Sequence, residues 1–242
     1  MARRPEVPGG SAPHVIVDDV STPVLSIDDR HHLSRVRRVR PGDALSVTDG
    51  NGSWRWCRFG DEIEPDGDVT VEAEPAPRLG VAFALVKGER PELVVQKLTE
   101  LGIDLIVPFV AERSVVRWDA SKSERNHERL VKVAREASAQ SRRVWLPTVT
   151  AVCDFDSLSG HAAFVRADRG GSLVADPSGV SPSAIAIGPE GGWSEREVLS
   201  MPESVGFGPT VLRAETAAIA AATLLSALRA GVVSVAAGGS RS

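Results

Sequence analysis

Apolar and polar positions alternate in short stretches through residues 1–74, then give way to unbroken apolar runs. Ala44-Leu45-Ser46-Val47-Thr48 and Asp68-Val69-Thr70-Val71-Glu72 alternate as half-buried strands do. Pro41-Gly42-Asp43 and Asp49-Gly50-Asn51-Gly52 are turn signals between them. Within this region Leu33, Val36 and Val39 recur at helical spacing, so a short helix is expected over Asp28–Val39 behind an Asp cap. A small β-barrel with one helix fits residues 1–74. Glu74-Pro75-Ala76-Pro77-Arg78 is a proline-rich break and the expected domain boundary.

Beyond it, Val81–Val86, Leu105–Val110, Ala162–Val165 and Ala184–Ile187 are continuous apolar runs, the texture of strands covered on both faces. Helical patterns alternate with them: Glu92–Leu101 ending at Gly102, the long polar stretch Lys122–Arg142, a helix from Ser194 to Leu199, and the Ala-rich stretch Ala214–Arg229. Ser194 with Glu197 three residues on has capping-box spacing. Strand and helix in alternation predict an α/β domain with a parallel sheet over residues 80–235. The tail Ala236–Ser242 is expected to be disordered.

Composition narrows the class. With 242 residues, 42% hydrophobic and 25% charged, the chain reads as a globular protein with a sizeable core. No apolar run reaches the roughly 18–20 residues that span a bilayer. The basic start Met1-Ala2-Arg3-Arg4-Pro5 has no apolar segment behind it, so no signal peptide and a cytoplasmic location are expected. Cys57 and Cys153 lack CxxC spacing, and neither a disulfide nor a metal site is expected. A net charge of −4 disfavours a generic nucleic-acid coat protein, but the charge is unevenly spread. Arg30, Arg35, Arg37, Arg38 and Arg40 cluster beside His31 and His32; a solvated face and an RNA-gripping barrel edge both account for them. A second basic stretch from Arg113 to Arg143 is diluted by acidic residues.

The candidate chemistry lies in two segments about twenty residues apart. Gly188-Pro189-Glu190-Gly191-Gly192 follows an apolar strand, and in open α/β sheets ligands bind beyond the C-terminal ends of strands. Its glycines let backbone amides approach a ligand, although a tight turn into a capped helix would look the same. Leu212-Arg213-Ala214-Glu215-Thr216-Ala217 opens the last helix, where first-turn amides and the dipole can hold polar atoms. An ordinary helix start is the alternative, with Glu215 favouring the dipole. Neither segment is a dinucleotide or phosphate-loop motif, so NAD and ATP are poorly supported.

Taken together with other stretches, these segments resemble the RsmE-type ribosomal RNA small-subunit methyltransferases of the SPOUT class, over nearly the whole chain. The matching stretches are His32-Leu33-Ser34-Arg35-Val36-Arg37-Arg38 with Pro41-Gly42-Asp43, Lys87-Gly88-Glu89-Arg90, Gln96-Lys97-Leu98-Thr99-Glu100-Leu101-Gly102, Glu112-Arg113-Ser114, Gln140-Ser141 with Arg143, and the two segments above. The last two alone would indicate the SPOUT class more broadly. The resemblance implies a PUA-like β-barrel in residues 1–74 and an α/β domain with a trefoil knot, which pattern alone could not show and topology rules disfavour. It further implies a homodimer that binds S-adenosylmethionine and methylates N3 of one uridine in 16S rRNA, with no membrane partner.

By the same resemblance Gly188, Pro189, Glu190, Gly191, Gly192, Leu212, Arg213, Ala214, Thr216 and Ala217 would hold the cofactor. The RNA-facing residues would be Arg35, Arg37 and Arg38, with Arg113 and Arg143 near the active cleft. Two features depart from the family: Arg142 stands where a glycine is usual and is followed beyond Arg143 by Val144 and Trp145, and Ala167-Asp168-Arg169 lacks the usual dipeptide after its strand. For methylation at N3, Glu215 is the candidate base and Arg213 the candidate stabiliser of charge on O2 or O4. Helix capping by Glu215 and phosphate positioning by Arg213 are the competing roles. Two alternative functions stand beside this one, a SPOUT enzyme for another RNA such as tRNA and an RNA-binding protein without activity.

Overall fold

The computed structural model describes residues 12–86, 90–173 and 182–233. The chain folds into two compact units, Met1–Glu74 with Arg135–Leu146, and Pro75–Ala134 with Pro147–Ser242.

The first unit is a five-stranded sheet in the order β1 (His14–Ile16), β2 (Ala44–Thr48), β3 (Ser53–Arg58), β4 (Glu64–Pro65), with β5 (Thr70–Val71) also on β3. β1 and β2 run parallel; the other pairs are antiparallel. The β2–β3 hairpin turns at Asp49, whose Oδ1 accepts from the amides of Asn51 at 2.7 Å and Ser53 at 3.1 Å. Gly50 and Gly52 have φ of 75° and 95°, and a Cβ on Gly52 would stand 2.6 Å from the Trp145 ring. Glycine is required there on both counts. Val15, Val17, Leu25, Leu33, Leu45, Val47 and Phe59 form the core.

The predicted helix over Asp28–Val39 is only partly formed. α1 (Ile27–His31) is capped by Ser26, which accepts from Asp29 N at 3.0 Å, rather than by an aspartate. The chain then widens into a turn at 32–36, with Arg37 N bonded to His32 O, and Arg38 leaves it at φ 55°. Widening by one residue per turn rotates Val36 out of the core, and it is 63% exposed.

The second unit is a parallel sheet in the order β12 (Ser204–Gly206), β10 (Val165–Leu173), β11 (Ala184–Ile187), β6 (Gly80–Ala84), β7 (Leu105–Val110), β8 (Thr148–Val149), with β9 (Cys153–Asp154) beside β7. Alternate residues of β6 feed two cores. Val81 and Phe83 pack with α2 (Arg90–Glu100), α3 (Ala120–Ser141) and α5 (Ala214–Arg229) through Val94, Leu98, Leu130, Ala218 and Leu225. Ala82 and Ala84 pack with Phe109, Phe155 and Leu158. Burial on both faces is why β6, β7 and β11 read as unbroken apolar runs.

The third predicted apolar strand, Ala162–Val165, is displaced. Ala162 and Phe164 precede β10, which starts at Val165 and continues through charged residues. Arg166 is buried in it because its guanidinium donates to the carbonyls of Met201 (2.8 Å) and Pro202 (3.4 Å) and to Asp168. α3 starts two residues early, where Asp119 Oδ1 caps the amide of Lys122 at 2.8 Å. It ends at Ser141, and Arg142 follows with φ 60°, the left-handed region that glycine adopts most easily. Arg142 Nη2 donates to Ala12 O at 2.7 Å. No helix of the described residues is long and apolar enough to cross a membrane. The tail 236–242 and Lys87-Gly88-Glu89 lie outside the described residues.

Candidate active site

The C-terminal ends of β11, β7 and β6 lead into residues 188–194, 111–114 and 85–86, and β12 leads through 207–213 into α5. The first predicted segment turns at Pro189, whose carbonyl accepts from Gly192 N at 2.9 Å, with Gly192 at φ 70°. Pro189 is buried, while Glu190, Gly191 and Gly192 are exposed. A Cβ on Gly188 would come within 2.8 Å of Trp193 Cε2, and one on Gly191 within 3.2 Å of Arg113 Cβ. The segment therefore has no room for side chains where it meets its own neighbours.

Trp193 packs. Its ring stacks on Phe109 with centroids 6.0 Å apart, and its Nε1 donates to Ala167 O at 2.9 Å. Behind it the predicted capping box is fully formed: Ser194 Oγ accepts from Glu197 N, and Glu197 Oε2 accepts from Ser194 N at 2.8 Å. Glu197 Oε1 accepts from Glu112 N at 2.9 Å, so one buried carboxylate ties the start of α4 (Glu195–Ser200) to the end of β7. Arg113 Nη1 donates to Gly191 O at 3.3 Å across the same junction. Hydrogen bonding to Ser194, then to Arg196, holds the Glu112 carboxyl below its usual range.

The second segment enters α5 with Arg213 as N-cap, and no side chain caps the helix. Its first-turn amides are left for water or a ligand. Leu212 and Glu215 are half-buried, Ala214 and Ala217 are buried, and Arg213 and Thr216 are exposed.

Arg90, the first residue of α2, brings the two segments together. Its Nη1 lies 3.9 Å from Glu190 Oε1 and 3.7 Å from Glu215 Oε1. Glu215 Oε2 is buried and has no hydrogen-bond partner among the described residues. Sequence motifs give Arg90 no role of its own. Its signal is position, a charged residue just past the end of β6, where a parallel sheet binds ligands.

Gly188–Gly192, Leu212–Ala217 and Arg113 thus belong to one unit. Arg35, Arg37, Arg38 and Arg143 belong to the other. The side chains of Arg35, Arg37 and Arg38 are exposed, with no ion pair or hydrogen bond among the described residues. Arg143 is half-buried, and its Nε donates to Trp145 O at 3.0 Å. Neither cysteine is poised as a nucleophile: burial raises the Cys57 thiol, and burial followed by the Asp154 charge pushes Cys153 up to about 11. No cluster of three or more potential metal ligands occurs among the described residues.

Residues 73–226 match the RNA methyltransferase domain family, and residues 26–64 match the RNA methyltransferase PUA domain. The ribosomal RNA small subunit methyltransferase E of Bacillus subtilis is 31% identical over 87% of this chain and 91% of its own length. That of Mycobacterium bovis is 30% identical over 84% and 86%. A putative methyltransferase of Legionella pneumophila, solved in complex with the bound cofactor SAM, superposes with a TM-score of 0.74. It is 26% identical over 90% of this chain and 98% of that one. A chain with these two matched domains, and with its glycine loop, its uncapped helix start and Arg90 gathered at one sheet edge, belongs to the RNA methyltransferase family that includes the ribosomal RNA small subunit methyltransferases E.

Proposed function

We propose that the protein transfers a methyl group from S-adenosylmethionine to N3 of a uridine in 16S rRNA of the small ribosomal subunit. The observation that carries this is the convergence of the 188–192 and 212–217 segments on Arg90 at the C-terminal edge of the parallel sheet. The residues present fit the cofactor. Close-packed glycines expose backbone groups, half-buried Leu212 offers apolar surface, and the α5 amides are uncapped. The Glu190 and Glu215 carboxylates complement a ligand that carries sulfonium and ammonium charges. Gly188–Gly192, Leu212, Arg213, Ala214, Thr216 and Ala217 are the residues that would hold it.

The bound cofactor supplies an electrophilic methyl group. The remaining demands fall on the chain. N3 of uridine must be held in line and must lose its proton as it attacks. Glu215 is the acceptor for that proton, and its Oε2 is the unpartnered oxygen of the site. Arg213, exposed at the head of α5, stabilises charge that develops on a flanking carbonyl oxygen. Arg35, Arg37, Arg38, Arg113 and Arg143 are the basic residues proposed to meet the RNA. The protein acts as a homodimer, a reading supported by the half-exposed small residues Ala220, Ser226 and Ala227 of α5, and its place is the cytoplasm, where its rRNA substrate is made.

Calorimetric titration of S-adenosylmethionine into wild type and Gly191→Val tests the cofactor site, and mass-spectrometric mapping of methylated uridine in rRNA tests the substrate. The valine would press on Arg113, whose Cβ and O stand 3.2 and 3.3 Å from a Cβ at Gly191. Binding by wild type and its loss in the variant are expected. Folded wild type that binds no cofactor and methylates no rRNA would refute the proposal.

A further inference from the structure

The Arg90–Glu215 pair is a poor stabilising device. Its separation of 3.7 Å is beyond hydrogen-bond range, and Arg90 is 41% exposed. Ion pairs of that kind contribute little to stability. Glu215 is only 14% exposed, and the burial of Oε2 without a partner works against the folded state. A buried acceptor with no partner among the described residues, beside a cation with unused donors, is an arrangement that a ligand would complete.

The pattern of donors and acceptors identifies that ligand. Arg90 offers N–H donors, and neither of its carboxylate contacts is close enough to consume one. Glu215 Oε2 beside it offers an acceptor. A carbonyl next to an N–H is the complementary edge, and uracil presents it as O4 beside N3–H, at the position where cytosine differs from it. Cytosine presents the reverse there: N3 is an acceptor next to an amino donor. A cytosine at this place would set lone pairs against Oε2 and N–H against Arg90.

We infer that Arg90 and Glu215 form a uracil reader, in which Glu215 Oε2 accepts from N3–H while Arg90 donates to O4, so that the pair selects uridine over cytidine. The inference rests on the proposed methyltransferase activity and deepens it. The atom to be methylated is also the atom that is read, so a base lacking N3–H is rejected before any chemistry. Arg90 makes the selection by contacting the base. Glu190, 3.9 Å from the same nitrogen and 48% exposed, keeps the guanidinium close to the site without tying up its donors.

The test is equilibrium binding, by fluorescence anisotropy, of rRNA fragments that carry uridine, cytidine or N3-methyluridine at the methylated position. Wild type is compared with Arg90→Met, Arg90→Lys and Glu215→Gln, each first shown to be folded by circular dichroism. Wild type is expected to prefer uridine over both other bases about ten- to hundredfold. Arg90→Met should reduce that preference to below about threefold, and Arg90→Lys should restore part of it. Glu215→Gln, whose amide can present a donor to cytosine N3, should lose preference by a gain in cytidine binding. S-adenosylmethionine affinity, measured by calorimetry on the two Arg90 variants, should stay close to wild type. Full retention of uridine preference in Arg90→Met and Glu215→Gln would overturn the reader while leaving the methyltransferase reading intact. Absence of both cofactor binding and methylation in wild type would overturn the two together.

Discussion

Replacing Glu197 by alanine should loosen the second unit at the point where it supports the glycine loop. The carboxylate is fully buried and accepts two amides, Ser194 N at 2.8 Å and Glu112 N at 2.9 Å. Hydrogen bonds to a charged group contribute about 1.5–3 kcal/mol each, so the loss of two is worth roughly 3–6 kcal/mol. Removing the buried charge also removes its desolvation cost, which offsets part of this loss. The expected net destabilisation is about 2–3 kcal/mol. With a urea m-value of roughly 2.5 kcal/mol/M, the unfolding midpoint should fall by about 1 M. Glu197→Gln keeps one acceptor and should lose about half as much. The assay is urea unfolding followed by circular dichroism, with calorimetric titration of S-adenosylmethionine beside it. Because Glu197 anchors the helix that follows Gly191 and Gly192, cofactor affinity should fall together with stability. A midpoint within about 0.2 M of wild type would refute the assignment of Glu197 as the tie between β7 and α4.

Two further outcomes concern the first unit. Burial, the largest cause, pushes His14 down from 6.5 to about 4; the Arg143 carbonyl opposes the shift and the Arg142 charge adds to it. The unfolded chain therefore takes up a proton near pH 6.5 that the folded one refuses until about 4, so this contribution is complete above 6.5 and is lost as pH falls toward 4. The 2.5-unit difference corresponds to about 3 kcal/mol, and a His14→Gln variant whose urea midpoint falls as steeply between pH 7 and 4.5 as wild type would assign the loss to other groups. Replacing Arg35, Arg37 and Arg38 together by alanine should weaken rRNA binding and reduce the slope of log affinity against log salt by about two, at roughly 0.7 per phosphate contact on single strands. An unchanged slope would remove these arginines from the RNA interface.

The sequence revealed those elements whose burial is decided by one simple pattern. β7, β11 and α5 begin and end where the apolar runs and the Ala-rich stretch predict, because strands covered on both faces and a helix packed on a sheet leave nothing else for such residues to do. β10 escaped because its second residue is arginine, and only the three-dimensional gathering of the Met201 and Pro202 carbonyls makes that burial tolerable. β3 escaped too, since in Ser53-Trp54-Arg55-Trp56-Cys57-Arg58 every third position is charged and the alternation is carried by aromatic rings. The helix expected over Asp28–Val39 forms only in part: the spacing of Leu33, Val36 and Val39 is helical, but a wider turn changes which of them faces inward. The same distinction separates the two halves of the site. The glycine loop and the helix start are contiguous in sequence and carry their own signals. Arg90 and Glu215 lie 125 positions apart, and no local pattern says that a guanidinium and a half-buried carboxylate will stand side by side. What links them is the parallel topology, which sends the ends of β6 and β12 to the same edge of the sheet. A parallel sheet therefore conceals its most informative contacts from sequence reading, because crossover connections assemble a site from residues that are distant along the chain.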